Sequence, residues 1–218
     1  MTRKMPSAVR EHALQIANHE MAHYVIARAL GFETGGVTLT VTMDLRHQGG
    51  ASISLVRSIS SMEAIKEHLE ARMMVLFAGA MGQTLASKPS PEKRVDKSKA
   101  TAILKGEFGA EQDYAKIREL RHLLRNIACP DTDPASSDRI TAELKEITDR
   151  VWFRTQEIVE ALADTITGLG SVLVDGMVMV EQWGRAADTY EVVLAGVMLE
   201  RLPPVQAIPA LAIASRKL

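Results

Sequence analysis

His19-Glu20-Met21-Ala22-His23 is the one stretch where this chain spells out a chemistry. Two histidines spaced i and i+4 lie on the same face of a helix, one turn above each other. Both imidazoles can then reach a single metal ion, and neutral nitrogen ligands favour Zn²⁺. Glu20 follows the first histidine and points to one side of such an ion, where it can take a proton from an activated water. The competing reading is a pair of ordinary helix histidines that match the pattern by chance.

The surroundings of the motif are helical. Leu14, Ala17, Met21, Tyr24 or Val25, and Ala29 recur at intervals of three and four, which predicts a helix from about Val9 to Leu30. Ser7 is placed to cap its start and Gly31 to end it in a left-handed conformation.

The bulk properties exclude several classes. The chain has 218 residues and a formal net charge of −1, with acidic and basic residues interspersed. That length suits one globular domain, or one domain plus an extension. The charge balance gives no electrostatic case for nucleic acid or an anionic membrane. Cys129 is the sole cysteine, so an internal disulfide and a multi-thiolate zinc site are both excluded, leaving His, Asp and Glu as ligands. Residues 1–7 lack the apolar segment of a signal peptide. No window reaches the roughly 18 apolar residues of a membrane span, so the expectation is a soluble, cytoplasmic protein.

Beyond the first helix, Val37–Thr42 and Ala51–Val56 alternate as strands do, with His47-Gln-Gly-Gly50 read as the turn between them. A hairpin, or three strands at most, is expected, with His47 exposed in the turn. Ser60 and Glu63 form a capping box for a helix reaching about Ala86, on which Gly79, Ala80 and Gly82 leave a smooth surface for a neighbouring helix. Ser87–Lys99 is charged and proline-bearing, a surface loop. Helical periodicity returns at Gly109–Ile127 and again from Asp138 to about Thr167, with Cys129–Pro134 as a breaker. Gly168 and Gly170 are expected to interrupt the second of these. A shorter apolar segment, Ser171–Trp183, and a last helix over Ala187–Arg201 follow. Three prolines after Leu202 exclude a continuous helix there. The organisation is thus a mainly α domain over residues 1–201 with a small antiparallel sheet, and a tail over 202–218 that is free or docked on a neighbour.

A catalytic zinc site needs three protein ligands and an open position. The pattern H-E-x-x-H-x-x-G-x-x-H is excluded, because Ile26 and Ala29 stand where it needs Gly and His. A glutamate from the next helix is the other common choice, with Glu63, Glu67 and Glu70 as candidates between which spacing does not decide.

Three segments taken together, H-E-M-A-H (19–23), L-F-A-G-A-M-G-Q-T-L-A (76–86) and G-A-E-Q-D-Y-A-K-I (109–117), resemble the peptidase domain of FtsH-type zinc metalloproteases. The closing stretch Val151–Gly176 is similar as well. The resemblance implies a zincin-type helical fold, His19, His23 and Asp113 as zinc ligands, and Glu20 as the general base. Near a helix start, Asp113 would face the positive end of the dipole and stay ionised. Two departures stand out: Ala22 replaces a glycine, and Gln83 replaces the acidic end of a G-G-R-A-A-E pattern. No G-x-x-x-x-G-K-[ST] phosphate loop occurs, so the ATPase module of that family is missing from this sequence, and an ATPase would act in trans if at all. The expected function is a zinc endopeptidase acting on unstructured polypeptide, with a homo-oligomer suggested by the family. The alternatives are an inactive adaptor that keeps the fold and binds a partner, and a metal-dependent hydrolase of another amide or ester or a structural metal site. Tyr24, His47, His68 and His122 are the candidates to stabilise an oxyanion.

Overall fold

The computed structural model describes residues 5–85, 94–107, 110–180 and 188–211. The first helix, α1 (Ser7–Ala29), is the centre of the fold. It packs against α2 (Met62–Gln83), α6 (Ala163–Asp175) and the sheet. Every residue from Ile16 to Ala27 is buried, so the helix is enclosed all round and does not present the single apolar stripe that its periodicity predicts. Pro6, not Ser7, occupies the N-cap, and no side chain caps it. At the other end Gly31 takes φ +78°. The Gly31 amide donates to the Arg28 carbonyl and the Phe32 amide to that of Ala27, the paired bonds of a Schellman stop.

The sheet has four antiparallel strands in the order β2-β1-β4-β3, one more than expected. β1 is Thr34–Thr42, β2 His47–Ile53, β3 Val178–Val180 and β4 Thr189–Leu194. The β1–β2 turn falls at residues 43–46, where Leu45 adopts φ +65° and its amide donates to the Thr42 carbonyl. His47-Gln-Gly-Gly50 is therefore strand and not turn, with His47 half-buried opposite Val41. The helix expected over 187–201 is replaced by β4 and the short α7 (Gly196–Leu199). The reason is tertiary: β4 fills the slot between β1 and β3, with Tyr190 and Val192 turned into the core.

The remaining helices buttress α2. Its N-cap is Ser61, one residue later than expected, whose hydroxyl accepts from the Ala64 amide at 3.1 Å. The loop expected over 87–99 is partly helix: α3 (Lys97–Ala102) is capped by Asp96, and a π-turn (Ile103–Glu107) continues it. Residues 86–93, and Gly109 of the predicted helix start, lie outside the described residues. The next helices are α4 (Glu111–Ala128) and α5 (Ser137–Ala161). The break after α5 comes at Leu162, and Gly168 and Gly170 lie inside α6. Gly170 is small because α6 crosses α1 there, against the Asn18 side chain. In the tail, α8 (Pro203–Gln206) buries Val205, and the Leu211 amide donates to the Ala29 carbonyl at 2.7 Å, so residues 202–211 are docked on the domain.

The closest approach is between α1 and α2. A methyl group built on Gly82 would meet the Ala22 side chain and lie 2.6 Å from the Asn18 carbonyl oxygen. The alanine that departs from the family pattern thus faces a glycine, as its extra methyl requires. Gly82→Val should destabilise the protein by about 2–3 kcal/mol through overpacking, read as a lower urea midpoint at unchanged slope. Gly168, with no atom near its Cβ position, should behave oppositely: Gly168→Ala should stabilise by about 0.5–1 kcal/mol.

Candidate metal centre

His19 and His23 are buried on α1, 8% exposed each, and their rings meet edge to face with centroids 4.7 Å apart. Each ring is held by its far nitrogen. The His23 Nδ1–H donates to the Val75 carbonyl of α2 at 2.7 Å. His19 Nδ1 lies 2.9 Å from Gln83 Oε1, which accepts its proton. A carbonyl can only accept, so the tautomer of His23 follows: its Nε2 is left with the lone pair.

Those two Nε2 atoms are 3.0 Å apart. The carboxylate of Asp113, in the first turn of α4, completes the group, with Oδ2 at 3.0 Å from His23 Nε2 and 3.4 Å from His19 Nε2. The three ligand atoms lie within 4.8 Å of one another. Three electron-rich atoms converging in a buried pocket repel unless a cation sits among them. A proton is one solution: burial pulls the His23 pKa down, but the hydrogen bond and charge of Asp113 outweigh it, and the net shift is upward. Burial likewise pushes Asp113 up, and the two histidines reverse this to hold it far below the usual carboxylate range. A divalent ion is the other solution, and the donor set of two imidazoles and one carboxylate suits Zn²⁺.

The packing beneath the group leaves it room. A Cβ on Gly79 of α2 would fall on His23 Nε2 and within 2.6 Å of His19 Nε2, so a side chain there would fill the space between the ligand atoms. Glu20 is 9% exposed and lies under β2, whose Gly49 has no space for a Cβ: it would stand 2.5 Å from Glu20 Oε1. Gly49, one of the glycines that read as a turn, is therefore what lets an edge strand lie on the glutamate.

Two clefts meet at Glu20 and His19. One, of about 320 Å³, runs between residues 49–53 of β2, Arg72 and Leu76 of α2, and the start of α4, and holds His23 and Asp113. The other, of about 810 Å³, is lined by His12, Leu45, Arg46, His47 and Gln48. Of the four residues considered for oxyanion stabilisation, His47 lines one of these two clefts and the other three line neither. Its Nδ1 is 3.1 Å from His12 Nε2, and its pKa is lowered, by burial first and then by His19. Tyr24 is fully buried, His68 packs on Phe32, and His122 is exposed on α4.

Among the glutamates weighed as third ligands, Glu70 pairs with Arg150 at 2.5 Å and Glu63 with Lys66 at 3.7 Å. Glu67 lies outside the group as well, which among the described residues consists of His19, His23 and Asp113. Gln83 and the Val75 carbonyl are the partners that sequence reasoning did not find. Gln83 had a signal, since it stands where the family pattern ends in an acid; a backbone carbonyl has none. No protein-family model and no curated protein sequence matches the chain.

Removing an outer partner should loosen the site. Gln83→Leu should weaken Zn²⁺ affinity about 10–100-fold, by analogy with outer partners of metal-bound histidines, as measured by competition with a chromophoric chelator. Because Asp113 raises the His23 pKa in the metal-free protein, protons should compete from a higher pH than for a free imidazole. Apparent Zn²⁺ affinity should then fall about tenfold per pH unit, for each proton displaced, below that raised value.

Proposed function

We propose that this chain is a zinc-dependent peptidase with a zincin-type fold related to the FtsH peptidase domain, cutting unstructured polypeptide. The observation that carries the reading is the convergence of His19 Nε2, His23 Nε2 and Asp113 Oδ2 beside Glu20, with the far nitrogen of each ring already anchored. An accidental histidine pair would not need both anchors and a carboxylate from another helix. A Zn²⁺ ion held there supplies a Lewis acid that acidifies water towards a pKa of about 7 and polarises a carbonyl.

Glu20, the one acid of the motif, lies outside the ligand group. From the junction of the two clefts it can accept the proton of the attacking water and return it to the leaving amine. β2 is an edge strand, and its residues 49–51 and 53 line the ligand cleft. An extended peptide can pair with such an edge through its backbone, which gives affinity with little dependence on sequence. A folded substrate offers no free backbone for that pairing. Unstructured segments are therefore the favoured substrate, and an unfolding ATPase acting in trans would widen the range.

Glu20→Gln should retain Zn²⁺ and lose about 10²–10⁴-fold in hydrolysis of casein. Asp113→Asn should lose zinc as well as activity. Protein loaded with Zn²⁺ that fails to cleave casein, or equal cleavage by wild type and Glu20→Gln, would sink the proposal. Zinc affinity unchanged in Asp113→Asn would remove that residue from the ligand set.

A further inference from the structure

The cleft holding the ligand group is also lined by two cations that the chemistry above does not use, Arg72 of α2 and Lys116 of α4. Positions 72, 76 and 79 fall on one face of α2. Gly79 lies under the two imidazoles, and Leu76 lines the cleft beside Arg72. The backbone of Arg72 is therefore two turns, about 10 Å, along the helix from the reacting centre.

Arg72 is half-buried, between the fully buried Ala71 and Met73. Arg125 and Arg150 each hold a glutamate, at 2.8 and 2.5 Å. Among the described residues no hydrogen bond or ion pair engages Arg72. Burial lowers its pKa and the nearby Asp113 opposes this, but a guanidinium stays charged at any working pH. Arg72 thus lines an open cleft, partly stripped of water, with Asp113 near enough to act on it but with no direct ion pair among the described residues. Lys116 adds a second cation one turn after Asp113, its Nζ 4.0 Å from Oδ1. Against them stand the three carboxylates of the same cleft, Glu20 and Asp113 at the ligand group and Glu111, exposed at the rim; a cation held by the ligand group would offset the first two.

A planar guanidinium fork matches a carboxylate through two parallel hydrogen bonds. An extended chain advances about 3.3 Å per residue, so 10 Å corresponds to about three residues. We infer that Arg72, assisted by Lys116, selects peptides that carry a carboxylate within about three residues of the cleaved bond. This rests on the peptidase reading of the adjoining site. The carboxylate belongs either to an acidic side chain or to the chain's C-terminus, and the two are separable.

Zinc-loaded wild type, Arg72→Met and Arg72→Lys are compared on internally quenched peptides of one parent sequence. Asp, Asn or Lys is placed at each of three positions on either side of the cleaved bond, and each peptide is made with a free and an amidated C-terminus. Wild type should favour Asp over Asn about tenfold or more in kcat/KM at one position, with the difference mostly in KM and weaker in high salt. Arg72→Met should erase that preference while leaving the Asn peptide within about threefold, and Arg72→Lys should restore part of it. A preference that follows the free terminus instead assigns the site to a C-terminal carboxylate. Absence of either preference in wild type, or an equal loss on Asp and Asn peptides in Arg72→Met, would overturn the inference. If wild type cleaves none of the peptides, the peptidase reading fails, and anisotropy of the fluorescein-labelled Asp, Asn and free-terminus peptides decides the rest. Carboxylate-selective binding lost in Arg72→Met supports the carboxylate site; equal binding, or none, rejects it.

Discussion

The site depends on how closely α2 passes α1. At Gly82 the two backbones approach until only Ala22 and a bare Cα fit between them. One turn earlier, Gly79 leaves a hollow under the facing histidine nitrogens. The same approach brings the Val75 carbonyl and the Gln83 side chain to the far nitrogens of the two rings. One helix contact therefore sets the orientation of both imidazoles and the space between them. Side chains at 79 and 82 would push the helices apart, and the ligand atoms would no longer converge.

Burying this much polarity in a helix enclosed on all sides carries a desolvation cost. For the two histidines the cost is met by partners. His19 and His23 are hydrogen-bonded on one side and turned towards Asp113 on the other. Glu20 is the member left at the meeting point of two clefts. The division leaves two anchored rings and one carboxylate open to the clefts. Asn18, one residue before the motif, is buried with its side-chain amide unpartnered, so this part of α1 does not satisfy every polar atom.

The sheet contributes by what its edge lacks. β2 crosses above Glu20 with Gly49, where a Cβ would collide with the glutamate. Among the described residues its outer side has no strand partner. Arg72 and Lys116 line the same cleft as residues 49–51 and 53 of this strand, Lys116 beside Asp113.

Much of this was legible in the residues themselves. The motif, the left-handed stop at Gly31, the small stripe on α2 and the breaker at 129–134 are local signals, and local chemistry is enough to read them. Asp113 was legible through a resemblance and not through spacing, because ninety residues of chain separate it from His23 in sequence while the fold brings it to 3.0 Å. What tertiary structure alone decided are the places where a neighbour overrides a local preference. His47–Gly50 looks like a turn but is strand, since β1 pairs with it and Glu20 needs a bare backbone above it. Gly170 looks like a helix breaker but lies inside α6, where α1 needs room for Asn18. Residues 189–194 read as helix but became the strand between β1 and β3, because the sheet had a buried slot to fill. By itself the sequence determined which atoms could bind an ion and take a proton; only the packing of α2 and α4 against α1 brought those atoms together, since hydrogen bonds and close contacts from distant segments leave no periodic trace in the chain.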